Sequence, residues 1–276
     1  MVIARPPIGS HSLELFWVKG NFLCCSFPLA RWPKLNKTKF PETDLQISDK
    51  IQVLIISDTC GDLPNTRSEA RKLYRELKSS PFGEKLDIEI TEPGEDPFSI
   101  RCKLRNCDFL HYSGHCVFQE TYGDMSKTGW LLEGKIDHPE LGDILSAGEL
   151  EKIWRDKAPL LVFANACDSG KSSPEGLKRI SFSDASMGFA QVCLAAGVST
   201  YVGTVWAAPD VDATIDFAVE VYRKFLTGHT IGHAVLEARN SCVARYGKMD
   251  LTWARYALFG DPLTHISFKK QSTIER

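Results

Sequence analysis

From residue 51 onward, short apolar runs alternate with longer amphipathic stretches. The apolar runs are rich in β-branched and aromatic residues and predict strands. They cover residues 51–57, 86–91, 107–115, 158–166, 198–206 and 255–262. The stretches between them carry apolar residues at helical spacing. Strands that alternate with helices in this way predict an α/β fold with a mainly parallel sheet and helices on both faces.

Two sequence signals predict where helices begin. Thr66 with Glu69 and Ser146 with Glu149 have the spacing of a capping box. In that motif the hydroxyl accepts from an early helical N–H, and the glutamate three residues later reaches back to the cap. We therefore expect one helix to start near residue 66 and another near residue 147.

The first 50 residues differ from the rest of the chain. LELFWVKG and NFLCCSF predict two short strands, and RWPKLNKTKFPETD is a basic connector with prolines. We expect residues 1–50 to be an appendage or the remnant of a preceding domain, residues 51–268 to be the main domain, and residues 269–276 to be a tail.

Composition narrows the function classes. The chain has 276 residues, a hydrophobic fraction of 43% and a formal net charge of −2, so no general field favours nucleic acid or an anionic membrane. The N-terminus predicts no signal peptide, and no apolar run is long enough for a membrane-spanning helix. Nine cysteines without a regular framework predict free thiols in a reducing cytoplasm.

Candidate chemistry lies at the ends of two consecutive predicted strands. YSGHC ends with His115 and Cys116, and NACDSG contains Cys167. Functional groups gather at the carboxyl ends of parallel strands. A cysteine nucleophile reacts as a thiolate, and histidine is suited to exchange its proton near neutral pH. The separation of about fifty residues matches that of the caspase histidine and cysteine. This combination favours a catalytic Cys167 and His115 over a packing role.

Metal and cofactor sites are not expected. Cys102, Cys107, His111 and Cys116 lie close together in sequence but lack the paired C-x-x-C units of zinc sites. Neither GxGxxG nor GxxxxGK[ST] occurs, which argues against a Rossmann-like small-molecule binder.

Five motifs in order carry a family resemblance: LPNTRSEARKL, YSGHC, NACDSG, AGVSTYVGTVW and YALFGDP. Over roughly residues 51–265 the chain resembles the CHAT domain family, which are caspase-like proteins of the clan of separase, clostripain and gingipain. The resemblance implies a caspase-haemoglobinase-like three-layer sandwich with a mainly parallel six-stranded sheet. It also implies cysteine endopeptidase chemistry by a His-Cys dyad.

Carried over by position, Cys167 attacks the scissile carbonyl and His115 manages the proton. The backbone N–H groups of Cys167 and Cys116 hold the oxyanion. The family normally has glycine where this chain has Cys116. We therefore expect the Cys116 side chain to crowd the site and to be a redox liability beside the catalytic thiol.

The resemblance also implies substrate-binding residues. Asn165, two residues before the nucleophile, lines the pocket for the P1 side chain and offers hydrogen bonds without charge. Asp168 or Asp210 could supply charge instead. Trp206 forms a wall of the substrate groove or is a packed aromatic at the sheet edge, and Asp210 also suits the capping of the next helix. A neutral or apolar P1 residue is favoured.

Members of this family are usually regulated modules of larger assemblies. The resemblance therefore implies a polypeptide substrate and a regulatory protein or sensor domain, in a prokaryotic defence system of the CRISPR type or in cell-death signalling. Nucleic acid enters only indirectly, and no membrane partner is expected. The alternative is an inactive caspase-like scaffold that binds partners, and Cys116 in place of glycine favours it.

Overall fold

The computed structural model describes most of the chain. Backbone and side chains are described for residues 13–32, 43–47, 50–117, 128–136, 138–139, 141–166, 188–205 and 212–268, and the backbone alone for 2–4, 140, 167–168 and 182–187.

Fourteen strands form in these residues. They are β1 (Val2–Ala4), β2 (Trp17–Val18), β3 (Asn21–Phe22), β4 (Leu29–Arg31), β5 (Asp44–Ile47), β6 (Ile51–Ser57), β7 (Leu86–Ile90), β8 (Phe109–Val117), β9 (Gly129–Lys135), β10 (His138–Ser146), β11 (Leu161–Asp168), β12 (Thr200–Thr204), β13 (Tyr256–Gly260) and β14 (His265–Phe268).

The α-helices in the described residues range from single turns to more than four turns. They are α1 (Leu23–Ser26), α2 (Pro64–Ser79), α3 (Pro97–Leu104), α4 (Ala147–Ile153), α5 (Phe182–Ala196), α6 (Asp212–Leu226), α7 (Ile231–Tyr246) and α8 (Thr252–Arg255).

One large sheet organises the molecule. Its strand order is β1-β4-β13-β12-β11-β8-β6-β7, with β9 added beside β8 and β10 beside β9. The pairs from β7 to β12 are parallel, and β13 pairs antiparallel with β12. The six predicted strands are thus confirmed as β6, β7, β8, β11, β12 and β13, in a mainly parallel arrangement.

Helices cover both faces of this sheet. On one face α2, α6 and α7 pack against a cluster that includes Val53, Phe109 and Phe163. On the other face α3, α4 and α5 pack against a cluster that includes Leu54 and Val162. Because neighbouring residues of a strand point to opposite faces, burial of both faces requires continuous apolar runs. The three-layer sandwich follows from this pattern.

The two predicted capping boxes have different outcomes. At α4 the box is confirmed, because the Ser146 hydroxyl accepts from the Glu149 N–H at 3.3 Å and Glu149 accepts from the Ser146 N–H at 2.9 Å. At α2 the prediction is wrong, because the helix begins at Pro64. Proline suits the first helical position, since its missing N–H needs no partner there and its φ is already helical. Glu69 is therefore free for another role.

Residues before Ile51 contribute to the main sheet. Strand β4 pairs with β13, and β1 pairs with β4. A buried ion pair of 2.6 Å joins Arg31 to Glu14. The predicted LELFWVKG and NFLCCSF strands shorten to β2 and β3, and LCCS forms the single turn α1. Among the described helices, none combines the length and apolar character needed to cross a bilayer.

Candidate active site

Strands β8 and β11 are parallel neighbours, and their register aligns the residues singled out from sequence. Ser113 pairs with Asn165, and His115 pairs with Cys167 two residues further along, with the Gly114–Ala166 pair between them. Both strands end within a few residues of the His115–Cys167 pair, so their carboxyl ends lie side by side. The backbone therefore brings His115 and Cys167 to the same position at the same edge of the sheet.

The imidazole of His115 is buried, with 8% of its side chain exposed. Its Nε2 lies 2.9 Å from Oδ1 of Asp62. A carboxylate can only accept hydrogen bonds, so Nε2 carries the proton that is donated to Asp62. The other ring nitrogen, Nδ1, is buried and has no hydrogen-bond partner among the described residues. It is the nitrogen left to act as a base.

The loop between β6 and α2 presents Asp62 to the histidine. Asp58 begins this loop with a φ of +44°, and Gly61 has a φ of +81°. The buried Asp58 carboxylate accepts from the Leu63 N–H at 2.7 Å and from the Arg67 guanidinium. Asp58 at the start of the loop is thus bonded to Leu63 and Arg67 beyond Asp62, which closes the loop around Asp62.

A buried polar network lies beside Ser113 and Asn165, two residues before His115 and Cys167 on their strands. The carboxylate of Glu69, on α2, accepts from Ser113 Oγ at 2.5 Å, from Asn165 Nδ2 at 3.1 and 3.2 Å, and from His111 Nε2 at 3.2 Å. The Asn165 amide oxygen accepts from the Tyr256 hydroxyl at 3.1 Å. Both ends of the Asn165 amide are therefore occupied, and the side chain is 7% exposed. Its role in a P1 pocket stays a prediction.

Cys116 lies differently from the sequence expectation. Strand β8 continues to Val117, so Cys116 points to the face opposite His115. Its side chain is 3% exposed and packs in the cluster that contains Trp130. The expectation that this side chain crowds the site is wrong, because strand alternation sends it into the core.

Gly114 allows the Tyr112 hydroxyl to approach the backbone of His115 closely. A Cβ built on Gly114 would stand 2.8 Å from the hydroxyl oxygen of Tyr112. That hydroxyl donates to the carbonyl oxygen of His115. The absence of a side chain at Gly114 thus makes room for a bond that holds the His115 backbone.

A second thiol, Cys60, is part of the Asp62 loop. Its Sγ lies 3.8 Å from the carbonyl oxygen of Leu131 on β9. Burial, and then the nearby carboxylates of Asp62 and Asp58, raise the pKa of the Cys60 thiol to about 11. Cys60 therefore stays protonated near neutral pH and is a poor nucleophile there.

The remaining predicted site residues are only partly described. The backbone of Asp168 pairs with Cys116 at the end of β11. The side chains of Asp168 and Cys167 are outside the described part, as are Trp206 and Asp210 altogether. Asp212 opens α6 as an acidic residue in the first turn.

Sequence reasoning missed two residues that contact the site. Asp62 lies in the loop that follows β6, at the same edge of the sheet as the carboxyl ends of β8 and β11, and this position could have marked it. Glu69 shares a helical stripe with the buried Leu73 and Leu77. A carboxylate at core spacing indicates a buried partner. Within the described residues, no cluster of His, Cys, Asp and Glu side chains is placed to hold a metal ion.

Solved structures share this fold. Separase of Saccharomyces cerevisiae, in complex with securin, aligns with a TM-score of 0.50 and 19% identity over 88% of this chain and 14% of its own. Gingipain R, an Arg-specific cysteine proteinase, aligns with a TM-score of 0.52 and 14% identity over 87% of this chain and 55% of its own. The complex of the pro- and mature domains of Porphyromonas gingivalis RgpB aligns with a TM-score of 0.51 and 14% identity over 87% of this chain and 56% of its own. The predicted caspase-like sandwich is confirmed.

This chain spans between a seventh and somewhat more than half of these proteins. No curated protein matches it in sequence. The family model described as the CHAT domain matches residues 28–261, which starts upstream of the predicted domain boundary at residue 51 and includes β4. The resemblance read from the ordered motifs is confirmed, and the chain belongs to the CHAT domain family.

Proposed function

We propose that this chain is a cysteine endopeptidase in which His115 and Cys167 form the catalytic dyad. The observation that carries the proposal is the register of β8 and β11, which pairs these two residues at the carboxyl ends of parallel strands. The buried Nδ1 of His115 supports it, because this nitrogen is available to take the thiol proton. The cysteine-protease fold of the structural neighbours is consistent with the same chemistry.

The proposed reaction runs in two stages. In the first, Nδ1 of His115 takes the proton of the Cys167 thiol, and the sulfur attacks the peptide carbonyl carbon to form a tetrahedral intermediate. The backbone N–H groups of Cys167 and Cys116 donate to its oxyanion. As the C–N bond breaks, the imidazolium protonates the leaving amine. In the second stage, His115 activates a water that hydrolyses the thioester and restores the thiol.

For the substrate, we propose a polypeptide with a neutral or apolar P1 residue. Asn165 lines the pocket beside Cys167, but its amide is committed to Glu69 and Tyr256. It therefore acts by shaping the pocket wall. Asp168, Trp206 and Asp210 complete the proposed groove, in the roles that the family resemblance implies.

We further propose that the module is regulated, because the relatives that share its fold are longer proteins. A sensor domain or regulatory protein would control access to the dyad, in prokaryotic defence or cell-death signalling within the cytoplasm. The rival function, an inactive scaffold, depended on Cys116 entering the site. That side chain packs on the opposite face, so the described residues do not support this argument for the rival.

An electrophilic thiol probe tests the proposal directly. Alkyne-tagged iodoacetamide at neutral pH, followed by peptide mapping, should modify Cys167 faster than the exposed Cys102. Cys167→Ala should abolish the fast reaction, and His115→Ala should slow it by about 100-fold or more. Cys102→Ser is the matched control and should leave the fast reaction unchanged. Equal modification of Cys102 and Cys167, with no effect of His115→Ala, would support the scaffold.

Peptide-bond cleavage is a separate question from thiol reactivity. Incubation with a proteome digest and mapping of new N-termini should give cleavage sites that require Cys167 and share a P1 class. Cleavage sites with mostly arginine or lysine at P1 would contradict the proposed P1 preference but not the proposed dyad.

A further inference from the structure

We propose that Asp62 is a positioning residue that sets the tautomer and orientation of the His115 imidazole. This inference rests on the proposed function, because it assigns Asp62 a role in the same dyad. It starts from a distance of 2.9 Å between Asp62 Oδ1 and His115 Nε2. It is supported independently by the buried Nδ1 of the same ring, which has no partner among the described residues.

The tautomer argument follows from hydrogen-bonding capacity. A neutral imidazole has one N–H and one lone pair, and either nitrogen can hold the proton. The Asp62 carboxylate accepts only, so it holds the proton on Nε2. The lone pair then lies on Nδ1, the nitrogen available to the thiol of Cys167. Without Asp62 the proton could move to Nδ1, and that tautomer cannot deprotonate a thiol at Nδ1.

The same contact stabilises the charged form of the histidine. After proton transfer the ring is an imidazolium, and its Nε2–H donates a charge-assisted bond to the Asp62 carboxylate. The bond therefore strengthens as the thiolate forms.

The loop that carries Asp62 is built to hold it in place. The Gly61 N–H donates to the Asp58 carbonyl at 3.1 Å, and the Leu63 N–H donates to the Asp58 carboxylate at 2.7 Å. Further back, the Thr59 hydroxyl donates to the Leu131 carbonyl at 2.9 Å, which ties the loop to β9. Asp62 thus lies between two residues whose backbone groups are both anchored.

The solvent exposure of Asp62 argues against a merely structural contact. The Asp62 side chain is 47% exposed, whereas that of His115 is 8% exposed. An ion pair between exposed side chains contributes little to stability. We therefore expect loss of the Asp62 carboxylate to change the histidine far more than it changes the folded state.

The tautomer can be measured without enzymatic activity. Long-range 1H–15N spectra of histidine-labelled Cys167→Ala protein should show His115, identified by its loss in His115→Ala, as the Nε2–H tautomer. Asp62→Asn and Asp62→Ala in the same background should shift it toward a mixture. Asp87→Asn, which changes an exposed carboxylate on β7, is the matched control and should leave the His115 tautomer unchanged. An unchanged His115 tautomer in both Asp62 variants, with the fold intact, would overturn the inference.

Reactivity supplies the second readout. In the otherwise native chain, Asp62→Ala should slow probe modification of Cys167 by about 10- to 100-fold. Asp62→Glu should recover part of the rate, because it restores a carboxylate. If modification of Cys167 proves independent of His115, the proposed function fails, while the tautomer spectra still decide the role of Asp62. If His115 matters and Asp62 does not, only the present inference fails.

Discussion

The amide of Asn165 donates to the carboxylate of Glu69 at 3.1 and 3.2 Å, two residues before Cys167. Ser113, on the neighbouring strand, donates to the same carboxylate. A helix residue therefore joins the two strands that carry the proposed dyad, at positions two residues before His115 and Cys167. This arrangement explains why a carboxylate with 1% exposure is tolerated in the core, since several donors satisfy it.

Glu69→Ala should lower the free energy of unfolding by about 3 kcal/mol, because it leaves buried donors of Ser113, Asn165 and His111 without their acceptor. Urea denaturation monitored by circular dichroism would measure the loss. Glu76→Ala, an exposed position on the same helix, should change stability by no more than about 0.5 kcal/mol. Similar midpoints for the two variants would show that the network contributes little.

Gly114→Ala should destabilise the protein by about 1–3 kcal/mol, since the new methyl group would meet the Tyr112 hydroxyl. The modification rate of Cys167 should also fall, because the same hydroxyl holds the His115 backbone. Gly148→Ala is the control: its Cβ would meet nothing within 4 Å, and it lies in α4. That change should be neutral or stabilise by up to about 1 kcal/mol. Thermal unfolding of both variants would detect the difference, and equal behaviour would refute the predicted clash.

Cys116→Ala should reduce stability by about 1 kcal/mol through loss of core packing. It should leave the probe modification rate of Cys167 unchanged, because the Cys116 side chain lies on the opposite face of the sheet. A clear change in that rate would mean that Cys116 reaches the site after all. Quantitative mass spectrometry of the modified peptide is the measurement.

Cys60 should become reactive only in alkaline solution. Its pKa is raised to about 11, so below that pH the thiol keeps its proton, and the thiolate fraction rises as pH approaches this value. In Cys167→Ala protein, iodoacetamide alkylation of Cys60 should therefore increase about tenfold per pH unit up to roughly pH 10. Asp62→Asn should move the increase to lower pH, because the carboxylate adds to the shift. Circular dichroism would verify that the fold persists, and full reactivity already near neutral pH would contradict the assignment.

Much of the architecture could be predicted from local patterns. The strands from β6 to β13 that lie in the core of the sheet need apolar residues on both faces, and such runs stand out along the chain. The Ser146 cap is equally local, because hydroxyl and glutamate are three residues apart. The adjacency of His115 and Cys167 could also be predicted, since the carboxyl ends of parallel strands meet at one edge whatever the details of packing.

The wrong predictions concern residues near the end of a strand or the start of a helix. The predicted third strand ended at residue 115, which made Cys116 a loop residue beside the histidine. In the structure β8 runs to Val117, and one residue of strand is enough to turn a side chain from the site into the core. Likewise, Pro64 started α2 earlier than the Thr66 signal indicated.

Sequence alone determined the fold class and the two residues of the proposed dyad, because periodicity and strand-end position are properties of short segments. Only the tertiary structure decided what surrounds them. Asp62 and Glu69 lie 53 and 42 residues from the histidines they contact, His115 and His111. No local pattern encodes such pairings, since they depend on how a loop and a helix pack against a sheet whose order differs from the order of the chain.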